Sequence, residues 1–314
     1  MPPPSVPRAS AVPAVPAAVD AARRSVVTSL LLSLRPHQWT KNALVFAALI
    51  FAQRLRDVRD VEIAGAAFAV FCALSSVVYL VNDLQDREAD RRHPLKSRRP
   101  IASGALAPGI AVAAAAVLLA AALAGAIAIN SSFAIVSVAY VALLSAYSFW
   151  FKHIVILDVL VLATGFVLRA IAGAVAIAVP FSSWLLLVTL LGALFIGLSK
   201  RRAEIVALAG EAAGHRRILA EYSPYLLDQM IGVVTASTVL AYAFYTISPE
   251  VQQRFGTDRL IYTVPFTIYG IFRYLYLIHQ RDEGGNPSEL LVTDRPLLAC
   301  VGLWAAAVVI ILYG

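Results

Sequence analysis

The chain has 314 residues, of which 60% are apolar and only 14% are charged, with a mean hydropathy of +0.77. An ordinary soluble domain carries about 25% charged residues, so a water-covered globule is excluded and a polytopic helical membrane protein is expected. Lysine and arginine number 26 against 19 aspartates and glutamates; in so apolar a chain that excess points to membrane topology and anionic ligands, not to nucleic acid. Cys72 and Cys300 both lie inside apolar runs, which excludes a disulfide framework and a cysteine-based metal site.

Residues 1–25 are rich in Pro, Ala, Ser and Val, without amphipathic period. Proline at that density prevents a helix, and no apolar core follows the basic residues as it would in a signal peptide. The segment is expected to be a disordered cytosolic tail. Nine apolar runs follow, at 42–53, 62–81, 105–129, 132–150, 154–179, 183–199, 226–247, 260–279 and 296–313. A membrane-crossing helix takes about 20 residues. The prediction is an all-α bundle of nine transmembrane helices forming one domain over 26–314, with the first helix short unless LRPHQWTKN (34–42) extends it. With the N-terminus inside, twenty Lys and Arg residues fall on the inner face and five on the outer, while Arg169 lies within a span. The positive-inside rule therefore places the long polar loops 82–104 and 200–224 together in the cytosol.

The second run ends in Asn82-Asp83-Leu84-Gln85-Asp86-Arg87-Glu88-Ala89-Asp90. On a continuous helix, Asp83, Asp86 and Asp90 would lie within about 60° of one face. Three like charges on one face repel unless something positive joins them. Oxygen donors on a rigid helix suit Mg²⁺, which keeps waters and takes substrate phosphates as further ligands. The competing reading is a polar helix end neutralised by Arg87, Arg91 and Arg92.

NDLQDREAD resembles the NDxxDxxxD signature of the UbiA superfamily of intramembrane prenyltransferases. LRPHQWTKN (34–42), DRRHPLKSRRPIASG (90–104) and GLSKRRAE (197–204) resemble one branch of it, which phosphoribosylates decaprenyl phosphate in actinobacteria. The resemblance covers nearly all of the chain after residue 30. It implies a UbiA-like bundle in the plasma membrane, with N-terminus and active site on the cytosolic face. It also implies Mg²⁺ as cofactor, with phosphoribosyl pyrophosphate and a polyprenyl (decaprenyl) phosphate as substrates. The product would be the lipid-linked precursor of cell-wall arabinan. The lipid bilayer is the implied partner, and a homo-oligomer is compatible with these expectations. Superfamily members usually carry a second acidic motif after the sixth span. Here Lys200-Arg201-Arg202-Ala203-Glu204 stands in its place, a cationic triad suited to a ligand with a second phosphate.

Other residues have two readings each. Gln38 and Lys41 enter the first helix one turn after Arg35, with Lys41 either a snorkelling anchor or a phosphate ligand. Asn82 opens the aspartate motif. Lys96, Arg98 and Arg99 belong to a basic loop that would cover a bound diphosphate. Tyr147 and Lys152 are five apart, so a turn is needed before both reach one pocket. Asp158 and Arg169, eleven apart, share a helix face; Arg169 would meet the lipid phosphate or balance an internal carboxylate. Arg273 is a candidate third phosphate contact. The 284–296 loop carries Gly-Gly and Asn-Pro turn chemistry and no catalytic pattern. Phosphate-binding glycine loops, zinc spacings and basic-aromatic nucleic-acid patterns are all missing from the sequence.

Overall fold

The computed structural model describes residues 25–93, 96–208, 217–281, 290 and 293–313. The expected N-terminal tail and most of the 284–296 loop lie outside them. The helices begin where the sequence supplies caps. Ser25 accepts from Thr28 N at the start of α1 (Val26–Leu34). Asp57 accepts from the Arg59 and Asp60 amides at the start of α3 (Val58–Gln85), which follows the short α2 (Ala47–Phe51). The short α4 (Arg87–Arg92) and α5 (Pro100–Ser103) cross the aspartate end of the bundle. Then come α6 (Pro108–Ile129), α7 (Ser131–Phe149), α8 (Leu157–Ala176) and α9 (Ser183–Leu208). The last are α10 (Pro224–Ile247), α11 (Pro249–Phe255), α12 (Val264–Gln280) and α13 (Arg295–Tyr313). Proline occupies the first turn of α5, α6, α10 and α11, where its missing N–H would have had no helical partner.

Eight of these helices are long and apolar enough to cross a membrane: α3, α6, α7, α8, α9, α10, α12 with its lead-in from Arg259, and α13. The protein is a multi-pass membrane protein, all-α among the described residues. The first of the nine expected runs, 42–53, does not form such a helix among the described residues. Pro36–Phe46 is a 3₁₀ helix that runs into α2. At about 2.0 Å per residue in the 3₁₀ part and 1.5 Å in α2, these sixteen residues extend on the order of 30 Å, about one hydrocarbon thickness. Sixteen α-helical residues would fall several Å short. Arg35 precedes proline, which disfavours α geometry there, and its φ of 54° turns the chain from α1 into the 3₁₀ segment.

A 3₁₀ helix has three faces, since residues three apart eclipse. His37, Thr40 and Ala43 are exposed, whereas Gln38, Lys41 and Leu44 are half-buried. Trp39, Asn42 and Val45 face the bundle: Trp39 donates to Ser76 Oγ at 3.1 Å and Asn42 to Ser75 Oγ at 3.1 Å, both on α3. Val45 meets Gly173 on α8 so closely that a Cβ there would lie 1.9 Å from the Val45 carbonyl oxygen. At the far end, Gln53 and Arg56 donate to the carbonyls of Leu312 and Tyr313, and the Tyr313 hydroxyl donates to the carbonyl of Ile50, joining α2 and the turn after it to α13.

Candidate active site

Asp83 ends α3 as a buried carboxylate, and its Oδ1 accepts from Arg35 Nη2 at 2.5 Å and Arg99 Nη1 at 3.0 Å. The same Arg99 nitrogen reaches Asp90 Oδ2 at 2.6 Å. Burial raises the Asp90 carboxyl above the ordinary carboxylate range, against the pull of Arg99. Asp86 departs from the sequence expectation. The helix is interrupted for one residue at Asp86, which caps α3 and precedes α4, while the Asp90 amide still donates to the Asp86 carbonyl. Asp86 turns instead to Lys152, a buried ammonium on the turn after α7. Among the described residues no three His, Cys, Asp or Glu side chains gather at metal distance. Asp83 and Asp90 nevertheless fit a hard cation: one positively charged nitrogen already bridges an oxygen of each, and the donor set is all oxygen.

The turn that the Tyr147–Lys152 spacing required is present as a 3₁₀ turn over Phe151–His153. It brings Lys152 to the aspartate layer, while Tyr147 is buried in the core between α7 and α8. Asn82 and Gln38 are half-buried beside the layer; Lys96 is half-buried in the loop that carries Arg99, and Arg98 is exposed.

The cationic triad divides. Lys200 is exposed. Arg201 is buried and donates to Asp158 Oδ2 at 2.8 Å and to Glu204 Oε2. Tyr222, on the loop before α10, donates to Asp158 Oδ1 at 2.7 Å and accepts from the Ile156 amide at 2.6 Å. Ile156 holds φ at 70°, a strained value for a β-branched residue. Arg202 pairs with Asp228, which also meets His279 Nε2 at 3.2 Å. Two predicted phosphate-binding cations are therefore held by carboxylates 43 and 26 residues away in sequence. Arg273 is likewise taken up, by a two-point pair with Asp294 at 3.1 and 2.8 Å.

Among the described residues Arg169 pairs with no carboxylate, so the internal balance expected as one alternative is not made. Asp158, on the same helix face, is occupied by Arg201, and the Arg169 guanidinium donates only to neutral acceptors. These are Asn42 Oδ1 at 2.8 Å, the Gly165 carbonyl at 3.0 Å and the Tyr140 hydroxyl at 2.6 Å. The rings of Tyr140 and Phe166 lie 4.9 Å from its centre. Asn42 and Tyr140 escape a sequence reading because each looks like ordinary helix content. Arg35 and Arg99 carry a signal, since each stands directly before a proline that fixes the local backbone.

This arrangement is that of an intramembrane transferase: a helical bundle with a layer of paired aspartates, arginines and a lysine at one end. The chain belongs to the UbiA prenyltransferase family, whose model matches residues 43–292. It is 35% identical over 295 residues to a decaprenyl-phosphate phosphoribosyltransferase of Corynebacterium glutamicum, covering 92% of this chain and 88% of the relative. A protein of the same name from Mycolicibacterium smegmatis is 37% identical over 302 residues, covering 91% and 94%. The fold is shared with a UbiA homolog from Archaeoglobus fulgidus bound to GPP and Mg²⁺, with a TM-score of 0.67 and 19% identity over 91% of this chain and 100% of that one.

Proposed function

We propose that the protein transfers the 5-phosphoribosyl group of phosphoribosyl pyrophosphate to decaprenyl phosphate, or a related polyprenyl phosphate, with release of diphosphate. The observation that carries this reading is the match, over about nine-tenths of the chain, to relatives named for that reaction. The product would be the lipid-linked precursor of cell-wall arabinan. The enzyme would work in the plasma membrane with its aspartate face in the cytosol, as the twenty-to-five charge asymmetry supports.

Asp83 and Asp90 would hold Mg²⁺, with Asp86 joining them once Lys152 turns away. The metal would supply charge neutralisation for the leaving diphosphate. Lys152 and Arg99, released from their carboxylates, would donate charge-assisted hydrogen bonds to that diphosphate. Lys200, with Lys96 and Arg98 of the covering loop, would contact the sugar phosphate. The acceptor phosphate oxygen is already anionic, so its attack on C1 requires no strong base, and catalysis rests on positioning and preorganised charge.

The test is transfer by purified protein in detergent. Labelled phosphoribosyl pyrophosphate plus polyprenyl phosphate should give a lipid-extractable product that EDTA abolishes and Mg²⁺ restores. Product only from a prenyl diphosphate plus an aromatic acid would overturn the reading in favour of prenyl transfer. EDTA-insensitive turnover would remove the metal.

A further inference from the structure

Resting on the phosphoribosyl transfer proposed above, we infer that Lys41 and Arg169 form the binding site for the acceptor's phosphate monoester, set below the aspartate layer. Asn42 and Tyr140 act as its positioning residues.

The charges acting on the half-buried Lys41 ammonium are Lys200, Arg169 and Arg35, all positive. Among the described residues Lys41 has no hydrogen-bond or ion-pair partner of its own. Arg169 is 5% exposed and donates to an amide, a carbonyl and a phenol, never to a carboxylate. The nearby acids are engaged elsewhere: Asp83 and Asp90 by arginines, Asp86 by Lys152 and Asp158 by Arg201 and Tyr222. Two cations without a carboxylate at membrane depth are costly unless an anion joins them. A guanidinium has five N–H donors, and three are used here, so two remain for a ligand.

Depth selects the ligand. Asn42 binds Ser75, eight residues before Asp83 on α3, which puts this layer about 12 Å further into the bundle than the aspartates. Arg169 Nη1 bonds back to Gly165, eight residues into α8, at a similar depth. A sugar phosphate arriving from water meets the acidic layer first. A phosphate carried on a polyprenyl chain approaches from the hydrocarbon side and keeps its tail there. A phosphate monoester is the shared chemistry, and the depth favours the lipid source.

Asn42 uses both ends of its amide, donating to Ser75 and accepting from Arg169. It thereby ties the 3₁₀ segment that carries Lys41 to the arginine. Tyr140 accepts from Nη2 and covers one face of the guanidinium.

The experiment measures equilibrium binding of labelled farnesyl phosphate and, separately, of labelled phosphoribosyl pyrophosphate with Mg²⁺, to the full chain in detergent. Lys41→Gln and Arg169→Lys should each weaken farnesyl phosphate by about ten- to a hundredfold, the range of a lost charged hydrogen bond. Binding of the ribosyl ligand should stay unchanged, and the thermal midpoints should match the parent protein. Tyr140→Phe, which keeps the ring, should raise the KM for lipid without changing the KM for phosphoribosyl pyrophosphate. A loss confined to the ribosyl ligand, or displacement of farnesyl phosphate by ribose 5-phosphate, would overturn the assignment in favour of a free sugar phosphate. Unaltered binding of both ligands would overturn it outright. Neither result depends on turnover, so a failed transfer assay strikes the reaction and leaves the site standing, whereas unaltered binding strikes the site alone.

Discussion

Lys152 donates to Asp86 across sixty-six residues of chain, tying the turn after α7 to the end of α3. The lysine side chain is 6% exposed and the aspartate 19%. Removing one partner leaves the other charge stranded. Asp86→Ala should therefore lose both phosphoribosyl transfer and about 3 kcal/mol of stability, the scale of a broken buried pair. Asp86→Asn combined with Lys152→Met should recover the thermal midpoint without recovering turnover. Recovery of both would show that the pair serves only the fold.

Gly173 lets the 3₁₀ segment approach α8. Alanine there cannot be accommodated by a side-chain rotation, because the obstacle is the Val45 carbonyl oxygen at 1.9 Å. Gly173→Ala should cost about 3 kcal/mol, at the upper end of ordinary overpacking. The loss would be read as a lower unfolding temperature in detergent. A midpoint equal to the parent's would mean that the two segments separate freely.

The triad should divide in kinetics as it does in structure. Arg202→Gln is expected to leave both Michaelis constants unchanged, because Arg202 is engaged with Asp228 between α9 and α10. Lys200→Gln should raise the KM for phosphoribosyl pyrophosphate by about tenfold. Arg201→Met strands Asp158 and should mainly lower the unfolding temperature. Steady-state kinetics on the three variants will separate these roles.

Asp294 offers a pH test remote from the aspartate layer. The hydrogen bonds from Arg273 hold its carboxyl below the ordinary range, although burial opposes them, and the Leu297 amide adds to the lowering. A carboxylate lowered in the folded state contributes stability above its unfolded pKa of about 3.9 and loses it as the pH falls through the folded value. Asp294→Asn should therefore unfold at a lower temperature than the parent at pH 7. The two melting curves should converge below about pH 4. A gap independent of pH would assign the effect to packing.

The helices were legible because each long apolar run fills one crossing, and the caps and N-terminal prolines mark where most of them begin. The aspartate motif was legible as chemistry and only in part as geometry. The seven-residue spacing of Asp83 and Asp90 brings both to one Arg99 nitrogen, but the Lys152 that meets Asp86 lies sixty-six residues away and carries no local signal. The fates of Arg201 and Arg202 were not legible at all, since their carboxylates lie far away in sequence and come within reach only when α8, α9 and α10 pack. Arg169 was recognisable as an intramembrane charge. Its neutral partners were not, because an asparagine on a 3₁₀ segment and a tyrosine in an alanine-rich helix carry no special spacing.

The 3₁₀ form of Pro36–Phe46 would have a consequence in a lipid bilayer. Together with α2, its sixteen residues reach about one hydrocarbon thickness with no surplus, whereas the 28 residues of α3 extend about 42 Å and have length to spare for tilting. Hydrophobic mismatch is therefore distributed unequally over the bundle. A thicker bilayer would be met by α3 through a change of tilt, whereas a crossing made by the segment that carries Gln38 and Lys41 would be stretched. Bilayer thickness would then act on this protein first through that short segment.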